Sequence, residues 1–172
     1  MDREQMHRLV ERHLRAERAG DPIGSVAMYT DDVVHDVVGS PTGPLRGPEA
    51  ARRFYEWLTQ TVHTELVDVN HAWYGENFCV IEHQWTGTVC GEFAGIPGNG
   101  RRISHRMLHV WEFSDGRISR ENVWLDTAAI IEQLSAPEPV EAADVYLRGA
   151  KTPILADGPT GRGHRPGAHG RQ

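Results

Sequence analysis

Residues 102–125 read RISHRMLHVWEFSDGRISRENVWL. The first half, Arg102–Phe113, alternates with a period of two, the repeat of a β-strand whose side chains point to opposite faces. One face holds Ile103, His105, Met107, His109, Trp111 and Phe113. The other holds Ser104, Arg106, Leu108, Val110 and Glu112. Ser114-Asp115-Gly116 predicts a tight hairpin turn, because glycine takes the positive φ that such turns need. Ile118–Leu125 then returns as the partner strand. Two long strands joined this tightly make an antiparallel pair.

Working outward from this hairpin, the same period recurs upstream. Phe78–Val89 is rich in β-branched and aromatic residues, and Gly75-Glu76-Asn77 separates it from a strand-like Glu65–Tyr74. The first of these presents Cys79, Ile81, His83, Trp85 and Val89 on one face. The loop Gly95–Gly100 carries Pro97 and leads into the central strand. Before residue 62 the period is that of helices. Residues 3–19 place Met6, Leu9, Val10, His13 and Leu14 on one stripe, stopped by Gly20-Asp21-Pro22. Pro22–Tyr29 is a second short amphipathic piece, Val33–Val38 a short strand, and Pro48 opens a helix running to about Thr61. Thr127–Leu134 predicts a closing helix with Ile130, Ile131 and Leu134 on its apolar side. Helices first and an antiparallel meander afterwards predict an α+β fold.

The chain has 172 residues with 18 basic and 24 acidic side chains, a formal charge of −6. That balance argues against nucleic acid or an anionic membrane as the main partner. No apolar run reaches the roughly 18 residues of a spanning helix, and the first residues lack a signal-type apolar stretch, so no membrane role is expected. Two cysteines, Cys79 and Cys90, are too few for a disulfide framework, and a reduced cytoplasmic protein is expected. From Ser135 the composition turns to proline and glycine. The expected division is a folded domain over residues 1–134 and a Pro/Gly-rich extension over residues 135–172, with a short helical stretch at Val140–Leu147 and a last segment, Gly158–Gln172, expected to be disordered when free.

Several runs carry a family resemblance. Trp85-Thr86-Gly87-Thr88, then Gly91-Glu92-Phe93-Ala94-Gly95-Ile96-Pro97, then Gly100-Arg101, resemble the signature of SnoaL-like polyketide cyclases. The Phe113-Ser114-Asp115-Gly116-Arg117-Ile118 turn, Asp126 and Gln133-Leu134 follow in the family's order. The family belongs to the nuclear-transport-factor-two-like superfamily, and the resemblance spans about Met6 to Leu134. It implies a cone-shaped α+β barrel: a strongly bent antiparallel sheet with three N-terminal-side helices packed on it. It also implies a homodimer and a hydrophobic, polyketide-like small-molecule substrate. The chain departs from the family at three places. Val89 and Cys90 stand where a histidine is common, Pro97-Gly98-Asn99-Gly100 replaces a Pro-Pro-Thr-Gly run, and Arg120 and Asn122 take the places of an acidic-x-Trp pair.

Candidate chemistry comes from polar residues on inward faces. His105 and His109 sit among large apolar side chains, where an imidazole is costly unless it is hydrogen-bonded or lines a wet pocket. Such an imidazole titrates near neutrality and suits proton transfer at a carbonyl substrate. The alternative is a pair of structural histidines. By resemblance Asp126 matches the family's acid/base carboxylate, and a carboxylate in an apolar mouth has its pKa raised toward a usable base. Asp126 also precedes Thr127-Ala128-Ala129-Ile130, the place of a helix N-cap. His35 either orients Asp126, binds a substrate oxygen, or is a solvent-edge strand residue. Tyr29, Phe54, Trp57, Trp85, Met107, Trp111 and Trp124 supply area for a flat substrate, as lining of a cleft or as plain core. On one strand His105 and His109 lie roughly 13 Å apart, too far to share an ion, so no metal is expected. No cofactor is expected, since no phosphate-cradling glycine loop opens a helix, and the absence of Gly-x-Ser-x-Gly leaves a serine hydrolase without support.

Three functions fit. The first is a cofactor-independent cyclase, isomerase or dehydratase of polyketide or related natural-product biosynthesis, working by acid/base catalysis through an enolate. The second is an epoxide hydrolase of the same fold, which wants an Asp-Arg-Asp set. Asp126 and Arg106 supply part of that set, and a second Asp is missing. The third is a non-catalytic small-molecule-binding dimer module.

Overall fold

The computed structural model describes residues 1–137. The expected extension from 135 onward, including the helical stretch at Val140–Leu147, lies almost wholly outside the described residues.

Helix α1 spans Arg3–Arg18. Asp2 caps it reciprocally: its carboxylate accepts from the Gln5 amide at 2.8 Å, and the Gln5 side chain accepts from the Asp2 amide at 3.0 Å. The stripe it buries is Met6, Val10, His13 and Leu14. Asp21 caps the short α2, Pro22–Val26, with proline in the first turn. Strand β1 (Tyr29–Val37) pairs with the two-residue β2 (Leu45–Arg46). Gly47, at φ +79°, turns the chain into α3, Pro48–Thr61. Then come β3 (Val62–Tyr74), β4 (Phe78–Val89), the small hairpin β5 (Glu92–Phe93) and β6 (Ile96–Pro97), β7 (Arg101–Ser114), β8 (Arg117–Leu125), and α4 (Thr127–Ser135).

Six strands form one sheet in the order β2-β1-β8-β7-β4-β3. The expected α+β class holds, with α1 to α3 and the closing α4 around a curved sheet. One ladder departs from the antiparallel expectation: β1 runs parallel to β8, with His35 opposite Glu121. The chain reaches β8 only after the whole meander, so no local turn chemistry announces that pairing. The β7–β8 turn does obey local chemistry, with Asp115 and Gly116 at φ +52° and +77°. β3 begins three residues earlier than the pattern suggests, and its two register shifts against β4 bend the sheet.

A bulge in β8 governs the site. Phe113 pairs with Ile118, but Glu112 pairs with Arg120, so Ser119 is an extra residue in the ladder. Ile118 points into the core. Strict alternation would then turn Arg120, Asn122 and Trp124 inward. The extra residue reverses this, so Glu121 and Val123 are buried and Trp124 is exposed.

The interior has two apolar ends. One packs α1, α3 and β1 against Cys79, Ile81, Trp111 and Phe113. The other packs Val67, Trp85, Val89 and Ile103 against Ile130 and Leu134 of α4. The Gln133 side chain fastens α4 to the sheet, accepting from the Ser104 amide at 2.9 Å and donating to its carbonyl at 2.7 Å. Between the two ends, on the same sheet face, lie His83, His105, His109 and Glu121, all buried.

Candidate active site

Glu121 is 1% exposed and stands at the centre of the buried polar group. The Tyr29 hydroxyl donates to its Oε2. His13 Nε2 is 3.4 Å from the same oxygen, and the Tyr55 hydroxyl donates to it at 3.4 Å. On the other side of the carboxylate, His109 Nε2 lies 3.5 Å from Oε1. Four elements converge on it: α1 brings His13, β1 and α3 bring the two tyrosines, and adjacent β7 brings His109.

The protonation of His13 follows from its neighbours. Its Nδ1 lies 2.8 Å from the Ser25 carbonyl, which can only accept, so Nδ1 carries a hydrogen. Its Nε2 faces two carboxylates, Glu121 and, at 3.6 Å, Glu17. A proton on Nε2 as well makes the ring an imidazolium. Burial works against that charge, but Glu121 and then Glu17 outweigh it, and His13 is raised to about 9. Burial works against the charge on Glu121 too. The His13 imidazolium wins and holds the carboxyl well below the usual carboxylate range. Glu17, partly exposed at the outer end, is pushed up to about 7 by burial against the pull of His13. The result is a buried ion pair with hydroxyl donors on its free lone pair.

His109 is the opposite case. Burial lowers it to about 4 although Glu121 pulls upward, so the ring is neutral. An ionised carboxylate cannot donate, so the nitrogen facing Glu121, Nε2, holds the hydrogen. Nδ1 is left with a lone pair, buried and without a partner. The ring stacks on Trp111 at 4.5 Å and 5°.

The other sequence-predicted residues divide by depth. His35 is 1% exposed, not at a solvent edge; it packs on Phe54 at 4.6 Å and Tyr55 at 5.4 Å, and burial lowers its pKa. His105 is buried against Trp85 at 5.1 Å, with Nδ1 donating to the Arg106 carbonyl at 3.1 Å. Burial lowers it, while Arg106 and the nearby Asp126 raise it. Asp126 itself is exposed and caps α4, accepting from the Ala129 amide at 3.0 Å. It does not join the Glu121 group. Tyr29 and Trp111 are fully buried, Trp85 nearly so, and Met107 and Phe54 half-buried. Trp57 and Trp124 are exposed, at 46% and 40%. Glu121, His13, Tyr55 and Glu17 were not singled out by the sequence reading. The bulge at Ser119 hides Glu121, and His13 reads as one more member of a packing stripe.

The chain belongs to the SnoaL-like polyketide cyclase family, whose profile matches residues 7–134. A relative, aklanonic acid methyl ester cyclase DauD from Streptomyces sp. (strain C5), is 28% identical over 124 residues, covering 64% of this chain and 74% of its own length. TsrD from Streptomyces laurentii has a similar structure, at 23% identity and TM-score 0.67, covering 79% of this chain and 98% of that one. An LEH-like epoxide hydrolase from M. tuberculosis shares the fold at 20% identity and TM-score 0.62, covering 84% and 96%. No helix among the described residues is long and apolar enough to cross a membrane.

Proposed function

We propose that this chain closes a ring in a polyketide-derived ester through an enolate, without a cofactor. The observation that carries the reading is the neutral His109 held 3.5 Å from the ionised, buried Glu121. His109 Nδ1 takes a C–H proton from the carbon next to a substrate carbonyl. The imidazolium so formed is stabilised by Glu121 Oε1, an arrangement in which a carboxylate fixes the tautomer and carries the charge of its histidine. The enolate carbon attacks a second carbonyl of the same molecule, forming the new C–C bond. The resulting alkoxide takes the proton back from His109. Product and substrate are isomers, and no co-reactant enters. Positioned acid/base catalysis of this kind contributes about 10²–10⁴ in rate.

Glu121 and His13 are positioning residues in this scheme. Asp126, expected by resemblance to be the base, serves here as the α4 cap, and His105 lines the outer end of the same face. Substrate area comes from Trp111, Trp85 and Met107. A homodimer through the outer face of the sheet belongs to the same reading, and sedimentation at micromolar concentration reads it directly.

The relative's name supplies the assay. Purified protein is incubated with aklanonic acid methyl ester, and the products are separated by reverse-phase chromatography and their masses measured. A new isomer of unchanged mass supports cyclisation, and its absence contradicts it. Gain of one water from an epoxide substrate would instead support the hydrolase reading. That reading is disfavoured by Arg106, which is exposed, pairs with Glu82 on the outer face and does not approach Glu121.

A further inference from the structure

Among the described residues, seven buried side-chain nitrogens and oxygens have no hydrogen-bond partner, and four of these belong to His83, His109 and Trp111. Both nitrogens of His83 are unpartnered, and the residue is 0% exposed. The three rings form one group. His83 meets His109 edge-on at 5.0 Å and Trp111 edge-on at 6.1 Å, while His109 and Trp111 stack at 4.5 Å. Buried polar groups are nearly always satisfied, so unmatched atoms gathered at one place call for a ligand that matches them. His83 plays no part in the ion pair around Glu121 and no part in the proton transfer above.

We propose that His83, with the Trp111 indole, forms a subsite for a keto–enol or phenol–ketone oxygen pair of the substrate. The hydrogen-bond inventory sets that chemistry. A neutral imidazole offers one donor and one acceptor, and the indole Nε1–H offers a donor only. A hydroxyl beside a carbonyl matches all three. Burial and the neighbouring His109 keep His83 neutral, which preserves its acceptor. Entry falls to Met107, which lies directly opposite His83 in the β4–β7 ladder and is half-buried. An unbranched thioether can change rotamer to admit a flat ring where a branched residue would block it. The proposal rests on the reading above only in taking the oxygens as the substrate's.

The test uses the full chain and 1,4-dihydroxyanthraquinone, a flat probe carrying adjacent hydroxyl and carbonyl oxygens, titrated by its visible absorbance. His83→Leu keeps the bulk and removes both nitrogens. Wild type is expected to bind, and His83→Leu to bind roughly tenfold more weakly with Tm equal or higher, as befits loss of unsatisfied buried nitrogens. Trp111→Phe, which removes the N–H and keeps a ring, is expected to weaken binding several-fold and supplies the readout if the leucine variant does not fold. Wild type failing to bind the probe, or unchanged Kd in the folded variants, overturns the proposal. A wild type that binds the probe but does not cyclise the ester leaves the subsite standing and removes the catalytic reading.

Discussion

His105 and His109 stand four residues apart on one face of β7, and each packs on a tryptophan. Their surroundings differ in what the facing elements bring. Around His105 are Trp85, the backbone of Arg106 and the Asp126 carboxylate, which caps α4. Around His109 are Glu121 from β8 and, behind it, the α1 imidazolium of His13. Burial lowers both histidines, so apolar surroundings alone do not separate them. What separates them is the buried anion at His109, kept ionised by a second histidine on a different element. The comparison shows that a helix packed behind a sheet can set the charge state of a strand residue, and through it the tautomer of a neighbouring histidine.

The largest effect is expected from breaking the deep centre at its charge. Glu121→Gln keeps the shape and leaves His13 with only the partly exposed Glu17 as counter-ion. Removing one partner of a buried pair costs about 3–5 kcal/mol, so a large fall in the urea midpoint is expected, with loss of ring closure. A midpoint within error of wild type would mean that the pair carries no weight in the fold.

A pH series sharpens the same point. His13 is raised from 6.5 to about 9 in the folded state. Its contribution to stability is therefore fully present below pH 6.5 and is lost as pH rises through 9. Glu17, raised to about 7, acts in the same direction over the lower window, from about 4.5 to 7. Glu121, depressed when folded, gives stability that is present above about 4.5 and lost as pH falls below it. Thermal unfolding is expected to show Tm falling between pH 7 and 9 in wild type and flat there in His13→Gln. A parallel fall in both proteins would assign the titration to another group.

The smallest effect is expected at the outer end. Asp126→Ala removes a cap contact and is expected to cost about 1 kcal/mol, with Asp126→Asn close to wild type because asparagine caps as well as aspartate. Turnover is expected to change by less than the deep variants, and chemical denaturation beside the cyclisation assay reads both.

Much of this architecture is written in local patterns. The period-two runs of β4 and β7, the Ser114-Asp115-Gly116 turn and the Asp126 cap need only neighbouring residues, and alternation alone places His105, Met107, His109 and Trp111 on one face. Glu121 is illegible for a physical reason: a single extra residue, Ser119, reverses the parity of β8, and nothing in Arg117–Leu125 marks where a bulge forms. The parallel β1–β8 pairing, which sets His35 beside Glu121, depends on contacts distant in sequence. His13 and Glu17 are one turn apart on α1, but their partner lies more than a hundred residues away, so their charge states appear only in the folded chain. Fold thus follows from periodicity, while the centre of the site depends on a register shift.

Ring closure of aklanonic acid methyl ester by His109→Asn, measured beside His105→Asn with both proteins shown folded by circular dichroism, asks the question most directly. Loss of about 10²–10⁴ in kcat for His109→Asn, with His105→Asn retaining most of its activity, is the outcome expected of a base held by Glu121. Equal activity in the two variants, or the greater loss at His105, would contradict it.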